Sequence, residues 1–272
     1  MQLWAQSLSD LARELAPVMV VFALLALAVK RRAIVAALRR SHRETMTNLG
    51  LVALNGVLLA PFILVPKAWL EAQVGLIPEL ARMWDAAPAA SAGPAAFLLA
   101  EFTIYWRHRL EHHRAWWPIH AVHHSDETIT WLTLLRKHPL AKLLSAVFDH
   151  LPLLLVGLPL WSIALAAVIR SWWGFFIHAD VPWTLGPLGK VLMSPAAHRL
   201  HHIDDLEKCG ANYGNTLTLW DRLFGTYVDP ARYLNCRTGV CGGSRGLIGE
   251  LARPFSKDVD TELAVERAPA RT

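Results

Sequence analysis

Long apolar runs separated by short polar and basic segments dominate the first two thirds of the chain. These runs cover residues 16–29, 49–65, 95–106 and 143–177. A membrane-spanning helix needs about 20 mostly apolar residues. The last run is nearly twice that long and has Gly157 and Pro159 near its middle, where a hairpin turn fits. The pattern therefore predicts an all-α polytopic membrane bundle with four or five membrane helices.

Composition agrees with the apolar pattern and removes several classes of soluble protein. Hydrophobic residues make up 54% of the 272 positions and charged residues only 18%, which is more apolar than soluble domains usually are. The three cysteines, Cys209, Cys236 and Cys241, contain no Cys-x-x-Cys pair, so they predict neither a disulfide scaffold nor a thiolate metal or redox motif. Lys30, Arg31 and Arg32 follow the first run rather than precede it, which indicates an uncleaved anchor.

The basic residues predict the orientation of this bundle in the membrane. Segments 30–43, 107–142 and 178–272 hold 23 of the 27 Lys and Arg. All three lie on one side if 49–65, 95–106 and the two halves of 143–177 each cross the membrane. The positive-inside rule makes that side cytoplasmic. It also accounts for the basic net charge without a nucleic-acid partner. We expect an integral multi-pass protein of a bacterial inner membrane, with its N-terminus outside.

The same pass along the chain predicts the two end regions. Residues 1–98 are expected to form membrane anchor helices. Residues 229–272 contain a glycine-rich stretch at 239–243 and a mixed-charge end, which is typical of a poorly ordered cytoplasmic tail.

Histidines carry the strongest chemical signal, because 12 of the 13 fall between residues 108 and 202. His108 and His112 are spaced i, i+4, whereas two further clusters each have spacing i, i+3, i+4. Helical residues at these offsets share a face at about 5 to 6 Å. With His178, which ends the last apolar run, the clusters supply nine nitrogen donors, which suits two metal ions in a cytoplasmic helical cap. The predicted ligands are His108, His112, His120, His123, His124, His178, His198, His201 and His202.

Four histidines are predicted to lie outside the ligand set. His42 and His150 are isolated in the sequence, and His113 points about 100° away from His112 around a helix. His138 precedes Pro139 and is left open between a structural and a site-supporting role.

Neutral imidazoles bring no negative charge, so we expect acidic residues to orient the rings and raise their basicity. Glu111 lies inside the first cluster, and Glu127 follows the second. Glu101 stands in an otherwise apolar run, where a charge is costly unless it is paired or functional. Together with His138, the candidates for this supporting role are Glu101, Asp126, Asp180, Asp204 and Asp205.

These motifs resemble the histidine boxes of the fatty acid hydroxylase/sterol desaturase superfamily of membrane di-iron enzymes. The resemblance covers about residues 99–228, which it implies form the catalytic domain. It includes intermediate signatures at 136–139 and 176–178. The three boxes occur in the family's order, and the segment that usually follows them is also recognisable. The corresponding stretches are 105–112, 120–125, 198–202, 212–215 and 219–227.

The resemblance implies a centre of two iron ions that activates O2 and hydroxylates or desaturates an unactivated C–H bond of a lipid. Some members have a further histidine four residues before the one matched by His178, but here Gly174 occupies that position, which favours nine protein ligands over ten. No His-Pro-Gly-Gly haem motif is present, so electrons are expected from a separate cytochrome b5-like or ferredoxin-like protein with its reductase.

Two other functions compete with an oxygenase. A membrane zinc hydrolase could attack a lipid ester or amide with metal-bound water, but no His-Glu-x-x-His frame is present. A metal transporter requires ligands at mid-membrane depth, where only Asp149 and His150 lie within a predicted span.

Overall fold

The computed structural model describes residues 2–59, 62, 69, 72, 77–205 and 210–256. Part of the second apolar run (60–61 and 63–65), Cys209 and the segment 257–272 lie outside the described residues. The described chain is helical, as predicted, and its extended pairing consists of two isolated bridges, Leu192 with Leu217 and Ile203 with Thr238. The α-helices are α1 Gln2–Lys30, α2 Ile34–Leu58, α3 Pro78–Ala86, α4 Ala89–Glu111, α5 Trp117–His124, α6 Pro139–Leu155, α7 Leu160–Ile177, α8 Pro195–His201, α9 Leu219–Leu223 and α10 Gly246–Ala252.

Helices α4, α6 and α7 form a tightly packed bundle. Small residues on α4, Ala96 and Ala100, are fully buried against Leu153 on α6 and Ala166 on α7. Their short side chains allow helix backbones to approach closely. The turn between α6 and α7 contains Gly157 at φ +75°, and a Cβ atom there would lie 2.9 Å from the backbone nitrogen of Ala81. The hairpin predicted in the long apolar run is therefore confirmed, with a position that only glycine fills easily.

Contacts at the two ends of the bundle fix the helix directions. Trp84 on α3, just before α4 begins, donates its indole N–H to the carbonyl of Val156 beside the α6–α7 turn (2.9 Å). Helices α4 and α7 therefore run in the same direction, and their C-terminal ends lie together at the opposite end of the bundle. His108 and His112 lie at the C-terminal end of α4, and His178 lies at that of α7.

Helix α1 packs beside α7 at the same end. Phe22 lies between the rings of Trp131 and Phe175, with centroids 5.9 and 6.1 Å away. At the end of α1, the Lys30 ammonium lies 2.7 Å from a carboxylate oxygen of Asp180. The end of the first apolar run thus lies level with the end of α7.

The outer surfaces of these helices remain apolar. Among the described residues, one helix, Leu160–Ile177, is long and apolar enough to cross a membrane, with a mean hydropathy of 1.5. The count of four or five membrane helices stays a prediction. Large apolar side chains nevertheless lie exposed on three helices, among them Met19, Leu24, Val147, Phe148, Trp161, Val168 and Ile169.

The segment after Pro230 differs from the predicted poorly ordered tail. Over residues 230–256 the chain packs against α2 and α5, and both Glu250 and Arg253 are fully buried. Val240 joins a small core with Trp117 and Ala121. The prediction is wrong for this segment because its glycines permit turns with positive φ at Gly239, Gly242 and Gly243, and these turns carry charged side chains into buried ion pairs.

Candidate metal centre

The structure brings all nine predicted histidines together at one end of the bundle. They form two groups, and within each group the nearest ring nitrogens all lie within 4.8 Å of one another. Apart from the partly buried His112, each ring belongs to a residue at most 9% exposed. The five-histidine group is His108, His112, His120, His124 and His201, and the four-histidine group is His123, His178, His198 and His202.

The helical spacing determines which group each ring joins. Pairs separated by four residues stay together: His120 and His124 on α5 lie in the five-histidine group. The ring three residues along from His120, His123, belongs to the other group. Helix α8 follows the same rule with the two groups exchanged. His198 and the C-cap residue His202 lie in the four-histidine group, whereas His201 lies in the five-histidine group. Each group therefore takes donors from several helices.

Two short helices, α5 and α8, present six of the nine rings, counting the C-cap residue His202. Helix α5 begins with Pro118 in its first turn, where a missing N–H costs nothing. Ser194 is the N-cap of α8, and its hydroxyl accepts the backbone N–H of Ala197 (3.1 Å). Pro195 then occupies the first turn. His178 is the C-cap of α7. The backbone positions of these helix ends therefore determine where the imidazole rings lie.

Backbone carbonyls orient four of the rings. A carbonyl oxygen can only accept a hydrogen bond, so the Nδ1 atom that faces it carries the ring proton and leaves Nε2 as a bare lone pair. The contacts are His108 Nδ1 to Tyr213 O (2.8 Å), His201 Nδ1 to Ala211 O (2.7 Å), His178 Nδ1 to Gly174 O (2.6 Å) and His123 Nδ1 to Arg136 O (3.2 Å).

The pair formed by His108 and His201 indicates a cation. Both rings donate through Nδ1, yet their Nε2 atoms lie only 2.9 Å apart. Two lone pairs at that distance repel each other unless a positive ion lies beside them. For a metal–nitrogen distance of about 2.1 Å, neighbouring donors on a tetrahedral or octahedral ion are about 3.0 to 3.4 Å apart. The observed separation corresponds to donors that share one ion.

Several buried ring nitrogens lack a hydrogen-bond partner among the described residues. They are Nε2 of His112, Nδ1 of His124, Nδ1 of His198 and both nitrogens of His202. Buried polar atoms are normally satisfied, and a metal ion bound to a ring would satisfy one nitrogen of that ring. Burial lowers the pKa of His178 to about 3 and that of His201 to about 4, so both rings are neutral and available as ligands at pH 7. An all-imidazole set suits iron, zinc, copper or nickel rather than magnesium or calcium.

One carboxylate approaches the five-histidine group. Glu111 Oε2 lies 3.4 Å from Nδ1 of His120, and both Glu111 oxygens accept hydrogen bonds of 2.7 Å from Nη1 of Arg107. Nε of Arg107 in turn donates to Asp149 on α6 (2.7 Å). This buried chain supplies negative charge on the side of the five-histidine group.

The other acidic candidates serve the scaffold around the centre. Glu101 accepts the backbone N–H groups of Thr216 (2.9 Å) and Leu217 (2.8 Å). Asp126 is fully buried and accepts hydrogen bonds from Asn48 (3.0 Å) and Thr133 (2.7 Å). Both therefore fix loops and helices that carry the boxes, rather than the rings themselves.

The remaining candidates lie further out. Asp180 is partly exposed and pairs with Lys30 and Arg199. Asp204 is exposed, and Asp205 is partly buried. His138 accepts the backbone N–H of Leu140 and caps α6, which is the structural one of its two predicted roles. Carbonyls replace the expected carboxylates because helix ends and loops already supply unpaired acceptors next to the rings.

Histidines predicted to lie outside the centre do so. His42 and His113 are exposed, and His150 contacts the carbonyl of Ala146 within its own helix (3.2 Å). Gly174 contributes its carbonyl to His178 instead of a tenth ring.

Sequence reasoning missed Asp221, which is fully buried. Its carboxylate accepts the backbone N–H groups of Tyr213 and Gly214 and the hydroxyl of Thr226, each at 2.7 Å. A side chain at Gly214 would overlap the Leu217 carbonyl. Asp221 thereby fixes the loop whose Tyr213 carbonyl orients His108. The sequence signal that could have identified Asp221 is the segment 219–227, which resembles the one that usually follows the third histidine box in the family.

Comparison with known proteins assigns this region. The family model described as "Fatty acid hydroxylase" matches residues 93–226, close to the 99–228 predicted from the boxes. Residues 93–226 belong to the fatty acid hydroxylase family. No solved structure matches the chain.

Curated relatives are enzymes that act on lipids. Ornithine lipid hydroxylase OlsE of Rhizobium tropici is 33% identical over 168 residues, which cover 61% of this chain and 51% of the relative. Human alkylglycerol monooxygenase is 36% identical, covering 49% and 30% of the two chains. A Delta(7)-sterol 5(6)-desaturase of Gibberella zeae is 30% identical, covering 52% and 39%. The alignments thus span about half of the first relative's length and less of the others.

Proposed function

We propose that this chain is a membrane-bound di-iron oxygenase that hydroxylates, or desaturates, an unactivated C–H bond of a lipid. The observation that carries the proposal is the two-group centre of nine buried histidines within a fatty acid hydroxylase domain. Iron bound there would supply the activation of O2 for hydroxylation. That reaction consumes two electrons from the donor protein and two protons; one oxygen atom enters the lipid alcohol and the other leaves as water.

The residues of this chain prepare the site for that chemistry. Carbonyls of Tyr213, Ala211 and Gly174 fix the proton of each facing ring on Nδ1 and turn Nε2 inward. Burial keeps the rings neutral and excludes water, which strengthens electrostatic interactions inside the site and limits side reactions. Arg107 holds the Glu111 carboxylate against the five-histidine group. The negative charge of Glu111 would partly balance the charge of two cations.

The competing functions receive less support. The relatives described above are hydroxylases, monooxygenases and a desaturase, which favours oxidation over the zinc hydrolase alternative. The centre also lies at the end of the bundle, level with Lys30 and the end of α7, rather than at mid-helix depth as a transporter would require.

Substrate and partners follow from the same arrangement. Exposed apolar side chains on α1, α6 and α7 support a position in the bilayer, from which a dissolved lipid reaches the centre at the helix ends. We propose a separate cytochrome b5-like or ferredoxin-like donor, with its reductase, on the cytoplasmic face.

Isotopic oxygen tests the reaction. Cells that express the chain and grow under ¹⁸O2 are expected to contain a lipid product heavier by one ¹⁸O atom, since hydroxylation takes its oxygen from O2. Lipid mass spectrometry measures this, with cells that express His201→Ala as the control. An unlabelled alkene, two hydrogens lighter than its precursor, would show desaturation. Hydrolysis products alone would refute an oxygenase.

Reporter fusions test the proposed orientation. Fusions after Val65, outside the described residues, and after His124 are expected to report opposite sides of the membrane, with the His124 fusion cytoplasmic. The reason is the excess of Lys and Arg in the segments that flank the histidine clusters. The same sidedness for both fusions would contradict the crossing by α4.

A further inference from the structure

Arg136 and Arg253 are the largest completely buried side chains in the described part of the chain. Arg136 lies next to the second histidine box. It belongs to the loop between the second histidine box and α6, where no membrane or solvent reaches its charge. A buried guanidinium requires a full set of acceptors and compensating negative charge. Its acceptors therefore show which parts of the chain this residue joins.

The guanidinium joins three separate segments. One edge contacts α2, another the end of the second box, and a third the C-terminal segment 243–253, which folds over it. The hydrogen bonds are to Glu44 Oε2 (2.8 Å), Asn48 Oδ1 (3.0 Å), Val122 O (2.8 Å), Ser125 Oγ (2.7 Å), Ser244 Oγ (3.0 Å) and Glu250 Oε1 (3.1 Å).

The same residue reaches the metal centre through its backbone and through α5. The carbonyl of Arg136 accepts the Nδ1 proton of His123 (3.2 Å), the ring that α5 contributes to the four-histidine group. Its Nε donates to the carbonyl of Val122 in the last turn of α5. A shift of Arg136 therefore moves both the ring acceptor and the helix end.

Glu250 keeps Arg136 in place from the C-terminal side. Its Oε1 accepts from Arg136, and its Oε2 lies 2.7 Å from Nε of Arg253, which is also fully buried. Glu44 and Glu250 thus pair with Arg136 and Arg253, and buried Asp126 is joined to the same cluster through Asn48. Loss of the Glu250 charge removes a carboxylate that contacts both guanidinium groups beside a cation-binding centre.

We infer that Arg136 is a positioning residue for the second histidine box, and that the C-terminal segment 243–253, acting through Glu250, is part of the metal centre. The segment lies beyond residues 93–226, which match the family, so family membership does not assign it this role. The inference rests on the proposed function, because it assumes that the histidine groups hold metal.

Metal binding by the full-length protein in lipid nanodiscs tests the inference. The protein is stripped of metal and titrated with Co²⁺, whose visible absorption reports nitrogen coordination. We expect Glu250→Gln to weaken Co²⁺ binding about 10- to 100-fold, as loss of supporting contacts typically does, and to change the absorption of the bound ion. Arg136→Lys, which keeps the charge but loses the planar fork, is expected to act in the same direction.

Ile248→Ala is the matched control. Ile248 lies in the same helix as Glu250 but is 81% exposed, so its loss should leave Co²⁺ binding unchanged. Ser244→Ala provides a milder variant, since Ser244 only bridges Arg136 and Glu44 (3.0 and 2.8 Å). It carries the test if Glu250→Gln does not insert, and we expect it to weaken binding several-fold.

The outcomes separate the two proposals. Wild-type affinity and spectrum in Ser244→Ala and Glu250→Gln, in a protein that binds two ions, would overturn the positioning role and leave the proposed function standing. A wild-type protein that binds no metal would overturn both. Weaker binding in Glu250→Gln, with the helical circular dichroism of the wild type and normal binding in Ile248→Ala, supports the inference.

Discussion

Alanine at His201 is expected to abolish turnover in a protein that still inserts into the membrane. His201 Nε2 lies 2.9 Å from His108 Nε2, and its own proton is fixed on Nδ1 by Ala211, so it offers a bare donor to the five-histidine group. Removal opens a coordination position and disturbs the geometry of the pair. Product formation falls below detection, and iron per protein falls below the wild-type value of two expected for a filled centre.

The same loss of turnover is expected for alanine at each of the other eight clustered histidines, because each group takes donors from separate helices. Controls come from the same residue type. His42→Ala and His150→Ala should keep activity, and His113→Ala should lose part of it at most. An active, iron-loaded protein without His124 or His201 would contradict a shared centre.

Histidine spacing predicted which rings come together because its information is local. Offsets of three and four residues place rings on one helical face whatever the rest of the fold does, and a glycine-proline break sets the α6–α7 hairpin. The division into five and four rings was less accessible. It depends on which way α5 and α8 turn toward each other, so that His123 and His201 cross to opposite groups.

The supporting contacts could not be predicted from residue type. Carbonyls of Tyr213, Ala211 and Gly174 orient rings, and every residue has a carbonyl, so no sequence signal marks them. Acidic neighbours such as Asp204 followed the boxes in sequence but lie at the surface. For Glu250 the error was the opposite one. Its glycine-rich surroundings suggested a poorly ordered tail, whereas the folded chain buries it completely.

Replacement of Arg107 by leucine is expected to produce a large loss of stability. Arg107 is 8% exposed in its side chain and pairs with both Glu111 and Asp149 at 2.7 Å, so leucine leaves two buried carboxylates without their cation. Breaking a buried ion pair by removal of one partner typically costs about 3 to 5 kcal/mol. Domains are commonly stable by about 5 to 15 kcal/mol, so unfolding in detergent should begin at a clearly lower temperature.

Arg109→Gln provides the control, because Arg109 is on the same helix but exposed, and its unfolding temperature should match the wild type. Arg107→Lys should fall between the two, since lysine keeps the charge but cannot bond Glu111 and Asp149 through one planar fork. Loss of Arg107 also frees Glu111 from its position against His120, so Arg107→Leu should weaken metal binding by the five-histidine group. Wild-type unfolding and metal binding in Arg107→Leu would show that the ion chain supports neither the bundle nor the centre.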